Sequence, residues 1–185
     1  HYAAPVLRGL NLHLDAGAIH AIVGENGAGK TTLLKILSGL TPADSGTVVL
    51  DGAPWAAKNP KAAQRAGLSL CSQELSLIDN LSVAENIGLR ALPGRLRLDR
   101  ATLHRRCREL LDRFQLDLAP DQLVGTLNLA ERQMVELAKT LNSEARLLLL
   151  DEPTSALNDQ QARALHAMLQ KRANNGVSIL YVSHR

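Results

Sequence analysis

GENGAGKT, residues 24–31, follows the apolar run AIHAIV (18–23) and precedes an amphipathic stretch. The pattern G-x-x-x-x-G-K-[ST], set between a strand and a helix, is that of a phosphate-binding loop. Gly24, Gly27 and Gly29 let the backbone curl so that its N–H groups face an anion. A helix beginning near Lys30 adds the positive end of its dipole. On this reading Lys30 reaches the β- and γ-phosphates of a nucleotide, and the Thr31 hydroxyl takes Mg²⁺. The candidate nucleotide-binding element is the whole loop: Gly24, Glu25, Asn26, Gly27, Ala28, Gly29, Lys30, Thr31 and Thr32. The competing reading is a glycine-rich strand–helix turn that ends in Lys-Thr by chance.

LLLLDEP, residues 147–153, weighs against that competitor. Four leucines suit a strand buried on both faces. Such a strand delivers Asp151 to its C-terminal end, where open α/β sheets bind ligands. A carboxylate there can hold Mg²⁺, which prefers oxygen ligands and keeps part of its hydration shell. Glu152 stands one residue on, able to polarise a water for in-line attack on a γ-phosphate. Pro153 ends the strand because it has no N–H to donate.

Outward from these two motifs the chain alternates strand and helix. Residues 3–23 read as extended. A helix follows with Leu33, Ile36, Leu37 and Leu40 at helical spacing and Ser38-Gly39 near its end. Thr47–Leu50 and LSLCS (68–72) read as strands, and the composition turns helical from about Leu77 to Asn142. In LNLAERQMVE (127–136), Asn128 and Glu131 form a capping-box-like pair, and Ala130, Met134, Leu137 and Leu141 make an apolar stripe behind them. A helix over about Gln160–Ala173 precedes a buried strand in VSILYVS (177–183). The expected fold is α/β: a P-loop core with a mostly parallel sheet, an N-terminal antiparallel β region and an inserted α-helical subdomain. The core is expected at 1–76 and 144–185, and the helical subdomain at 77–143.

Bulk composition removes several classes. The 185 residues are 45% hydrophobic and 21% charged, which suits a globular chain able to bury a core. At 2% aromatic residues and a net charge of +3, stacking platforms for single-stranded nucleic acid are not expected. Arginines gather from Arg90 to Arg113, but Asp99, Glu109 and Asp112 interleave with them, as on a solvated helix face. Cys71 and Cys107 stand apart without metal spacing, which suits a reducing compartment. No apolar run approaches the ~20 residues of a membrane span. The chain opens at His1 without a methionine and stops at Arg185 straight after an apparent strand, so it reads as a piece of something longer.

With Gln73 after a strand in SQE, DEPTSALND after the Asp151 strand, and His184 closing VSILYVSHR, the order of motifs resembles the nucleotide-binding domain of ATP-binding cassette (ABC) proteins. The resemblance covers nearly the whole chain and implies an ABC ATPase fold, truncated at the C-terminus. LNLAERQ occupies the place of the family signature, LSGGQ. Asn128 stands for serine, Leu129 and Ala130 for the two glycines, and Glu131 for glutamine. AERQMVELAKTL, GENGAGKTTLLKILSGLTPADSG and SQELSLIDNLSVAENIGL are similar to the first cassette of tandem ribose, xylose, galactose and autoinducer-2 import ATPases.

The resemblance implies ATP and Mg²⁺ as cofactors and catalytic roles for Glu152, Gln73 and His184. Metal contacts would come from Thr31, Gln73 and Asp151. Tyr2 would stack on adenine, and Asn128 and Ala130 would meet the nucleotide of a partner cassette. Partners implied are a second cassette in a head-to-tail dimer, transmembrane permease subunits and, indirectly, a periplasmic or extracellular binding protein. The place implied is the cytoplasmic face of the inner membrane. Two other readings stand beside it: a soluble ABC ATPase acting on ribosomes or DNA, and a regulatory nucleotide-binding module with weak hydrolysis.

Overall fold

The computed structural model describes residues 6–89, 100–155 and 157–183. Its elements run β1 (Ile19–Val23), α1 (Lys30–Leu37), β2 (Val48–Leu50), β3 (Ala53–Trp55), α2 (Pro60–Arg65), β4 (Leu68–Cys71), α3 (Val83–Gly88), α4 (Arg100–Arg113), α5 (Leu129–Leu141), β5 (Leu147–Asp151), α6 (Asp159–Asn174) and β6 (Ser178–Ser183). They fall into two compact units. The first comprises His1–Leu70, Ala145–Glu152 and Arg172–Arg185, and the second Cys71–Glu144 and Pro153–Lys171.

The first unit is built on a sheet of order β1-β6-β5-β4. β6 pairs in parallel with β1 on one side and β5 on the other. Every residue of β5 is buried, as its unbroken leucine run requires. Leu34, Leu37, Leu68, Leu147, Leu149, Leu180 and Val182 share one core cluster. On α1 the residue fully excluded from water is Leu34, while Leu40 is exposed beyond the helix end. Of the expected Leu33, Ile36, Leu37 and Leu40, Leu37 is buried and Leu33 packs on the core, Ile36 is half-buried, and Leu40 is exposed. The antiparallel piece in the first third of the chain is the hairpin β2–β3, with Val48 opposite Trp55. Among the described residues before β1, 6–18 form no strand. The extended reading of 3–23 therefore becomes a strand only at β1; within 6–18, Leu10 and Leu12 are exposed and Leu14 packs on the core.

The second unit is helical. α3 packs against both α4 and α5. A Cβ built on Gly88 would lie 2.5 Å from Leu103 Cδ1, so a larger residue there requires the Leu103 side chain on α4 to shift. α3 opens with a complete capping box: the Ser82 side chain accepts from Glu85 N–H, and the Glu85 carboxylate accepts from Ser82 N–H. The Ser82 hydrogen bonds hold the Glu85 carboxyl below the ordinary carboxylate range. Its contribution is therefore complete above that range and disappears as pH falls through the depressed folded value. Ser82→Ala is expected to destabilise the fold by about 1 kcal/mol. Denaturant unfolding at neutral pH measures this, and Glu85→Gln should flatten the acid limb of the parent's pH profile.

Candidate functional site

Lys30 opens α1, and the residue before it, Gly29, has φ 88. Gly27 also lies in the left-handed region, at φ 83. The first helical bond runs from Leu33 N–H to the Gly29 carbonyl, so the N–H groups of 30–32 lie ahead of it at the helix tip. Lys30 is almost wholly buried, and its ammonium donates to the carbonyls of Gly24 at 2.6 Å and Glu25 at 2.8 Å. The lysine thus lies over its own loop with the backbone donors beside it. A loop of this shape offers one point charge and a row of N–H groups to a phosphate chain.

Gly29 is fixed by two independent demands. Its φ disfavours any L side chain, and a Cβ there would meet Leu7 Cδ2 at 2.7 Å and Val6 Cγ1 at 3.0 Å. Gly29→Ala is expected to lower nucleotide affinity by at least about tenfold and stability by about 1–3 kcal/mol. Titration calorimetry and thermal melting on the variant check the two effects separately. Gly27, by contrast, has nothing within 4 Å of a built Cβ.

Asp151 ends β5 beside α1, and its carboxylate is buried with neither oxygen hydrogen-bonded. The Thr31 hydroxyl is an electrostatic neighbour, but its geometry falls short of a hydrogen bond to either oxygen. Burial raises the Asp151 carboxyl above its ordinary value. The Glu152 charge adds to this, and the Thr31 hydroxyl, Lys30 and Lys35 oppose it. Buried carboxylates are normally paired, and an orphan is expensive unless a cation satisfies it. The residues therefore fit Mg²⁺, with Asp151 and Thr31 as the oxygen donors of this unit. No group of three or more His, Cys, Asp or Glu side chains is placed to hold a metal among the described residues.

Glu152 follows at φ 50, with its N–H donating to Val182 O at 2.9 Å. A non-glycine residue in the left-handed region carries strain that surrounding structure must hold, and such positions concentrate at functional sites. The turn directs the chain away from the strand at once, leaving Glu152 half-exposed directly after the buried Asp151.

Lys30, Thr31, Asp151 and Glu152 thus come together within the first unit. Gln73 belongs to the second, exposed two residues after β4. Asn128 caps α5 there: its side chain accepts from Glu131 N–H at 3.0 Å, and the Glu131 carboxylate accepts from Asn128 N–H at 2.8 Å. Ala130 and Leu129 are exposed at that tip, so the buried stripe of α5 starts at Met134, not at Ala130. Ala130 lies in the first turn, ahead of the packed part of the helix. Tyr2 and His184 lie outside the described residues. Sequence reasoning passed over Ser76, Asn86, Glu136 and Lys139, polar residues of the second unit with buried contacts. The signal was a Glu and a Lys placed three apart inside the apolar run of α5.

The sequence matches the model of the ABC transporter family over residues 7–155. It is 47% identical over 180 residues to a putative ribose/galactose/methyl galactoside import ATP-binding protein of Burkholderia ambifaria, covering 97% of this chain and 35% of that protein. Against a ribose import ATP-binding protein of Burkholderia pseudomallei it is 43% identical over 189 residues, covering 99% and 37% respectively. The chain therefore spans about a third of the length of these relatives. The ATP-binding subunit of an ABC transporter superimposes with a TM-score of 0.83 at 26% identity, covering all of this chain and 75% of that one. A dimeric ATP-binding cassette solved with ADP and Pi superimposes at 0.84 with 23% identity, covering 97% of this chain and 80% of that one. With the phosphate loop, the orphaned Asp151 and these likenesses together, the chain belongs to the ABC transporter family.

Proposed function

We propose that this chain is the first of two ATP-hydrolysing cassettes in a sugar importer. The observation that carries the proposal is the pairing of Lys30, folded over its loop, with Asp151, buried and without a hydrogen-bond partner. When bound, Mg²⁺ would neutralise charge on the β- and γ-phosphates. Lys30 exchanges two backbone carbonyls for phosphate oxygens, and the N–H groups at the tip of α1 receive the remaining charge. Glu152 accepts the proton of the attacking water as it adds to the γ-phosphorus. Gln73 and His184 orient that water and link turnover to the permease, and Tyr2 stacks on the adenine. The segment 77–143 serves as the signature subdomain, with Asn128 and Ala130 facing the nucleotide of the second cassette in a head-to-tail dimer.

The relatives named above as ribose and galactose import proteins support a sugar or similar solute as cargo. Such a cassette works as a peripheral subunit at the cytoplasmic face, with transmembrane permease subunits and an external binding protein supplying specificity. No helix among the described residues is long and apolar enough to cross a membrane. The test is sugar uptake into vesicles holding the full-length protein and its permease. ATP consumption that depends on Mg²⁺ and rises with binding protein and sugar supports the proposal. ATP consumption indifferent to both sinks the importer reading and leaves a non-transport ABC ATPase.

One observation favours a second reading, a regulatory site with weak hydrolysis. At the tip of α5 the Glu131 carboxylate already accepts the Asn128 N–H, so the helix end carries its own anion. A γ-phosphate approaching that tip meets negative charge. Single-turnover assays on each composite site separate a slow site from a fast one.

A further inference from the structure

Two charged side chains lie in the apolar half of α5. Glu136 and Lys139 are 2% and 4% exposed, and their charged groups are 3.5 Å apart. Both side chains reach outside the helix to Ser76. The Ser76 N–H donates to Glu136 Oε2 at 3.1 Å, and its hydroxyl donates to Glu136 Oε1 at 2.7 Å. The Lys139 ammonium donates to the Ser76 carbonyl at 2.7 Å and lies 2.9 Å from its Oγ. Ser76 is itself exposed, on the irregular chain between β4 and α3, three residues after Gln73.

Burying an ion pair is a poor way to gain stability, because desolvation offsets the attraction and apolar replacements of similar volume are often neutral or better. What this pair does that an apolar pair cannot is hold both backbone polar groups of Ser76 in one register against α5. A second anchor follows at once. The buried Asn86 side chain accepts from Ile78 N–H at 2.8 Å and donates to the carbonyls of Ile78 and Ser82. A third runs from Arg132, in the first turns of α5, to Asp79 at 3.2 Å. The chain beyond Gln73 is therefore tied at Ser76 and Asp79 to the helix whose tip is Asn128.

We propose that Glu136 and Lys139 are positioning residues for ATP turnover, which lock the Gln73 segment to the α5 helix through Ser76. The proposal rests on the roles given above to Gln73 and Asn128. Movement of either end is then transmitted to the other by a hydrogen-bonded clamp with both charged side chains buried, instead of through a loose loop. Both side chains are buried against Ser76, so the clamp acts on turnover and not on the affinity of the phosphate loop.

The experiment uses the full-length protein and three variants: the apolar pair Glu136→Leu/Lys139→Met, Gln73→Ala, and all three changes combined. The apolar pair is expected to melt near the parent, to keep the parent's Kd for MgATP, and to lose kcat by about tenfold. In the combined variant the two losses should not multiply, because both act through the same segment. An apolar pair with parental kcat overturns the proposal, as does multiplication of the losses, while a slow Gln73→Ala leaves the reading of Gln73 standing. A Gln73→Ala variant with parental kcat sinks the reading of Gln73 and the positioning role together. Should the apolar pair fail to fold, the isosteric Glu136→Gln replaces it, and parental kcat in that variant is equally fatal.

Discussion

Glu152→Gln is expected to bind MgATP as tightly as the parent and to lose ATP turnover by about 10²–10⁴-fold, the range of a lost general base. The substitution keeps the size of the side chain and its capacity to accept a hydrogen bond, but glutamine cannot take a proton from water. Backbone geometry is preserved as well, since Glu152 N–H still donates to the Val182 carbonyl and φ near 50 is no worse for Gln than for Glu. Affinity persists because Lys30 and the tip of α1 are untouched. A nucleotide-trapping assay beside steady-state turnover separates the two properties. Normal turnover in the variant would remove Glu152 from the chemistry.

Lys30→Ala is expected to fail one step earlier. Loss of two charge-assisted hydrogen bonds to phosphate, each worth about 1.5–3 kcal/mol, predicts that affinity for ATP falls by about 10²-fold or more. Part of that energy is already committed, because the ammonium donates to Gly24 and Glu25 carbonyls and must leave them to reach phosphate. The exchange still favours phosphate, whose oxygens carry formal charge where the carbonyls carry only a dipole. Removing the lysine also leaves both carbonyls without their donor and lowers the positive charge beside Asp151. Equilibrium binding of a fluorescent ATP analogue reads the loss directly. An unchanged Kd would show that the loop binds by backbone alone.

Much of the local structure was legible because its causes are local. A left-handed glycine before Lys30 and a short leucine run suited to a strand covered on both faces are written in consecutive residues. So is the Asn128–Glu131 box, which forms in both its hydrogen bonds. The extended reading of 3–23 failed over 6–18 for the opposite reason. The Ala18 carbonyl still accepts from Ile179 N–H of β6, but no ladder extends back from it, and strand pairing is a property of two segments, not one. Ala130 misled in the same way, since helical spacing gives the stripe but not the point along the helix where a neighbour begins to cover it.

What the sequence determined by itself was the phosphate loop, the acidic pair at the end of a buried strand, the α/β class and the capped helix at Asn128. Spacing and side-chain chemistry suffice for these. Only the tertiary structure decided that Asp151 lies buried without a hydrogen-bond partner beside Thr31 and Lys30, and that Glu152 sits in a left-handed turn. It alone turned Glu136 and Lys139 inward onto Ser76. Burial and pairing depend on which distant segments meet, and a charged residue in an apolar helix gives no sign of its partner until the chain has folded around it.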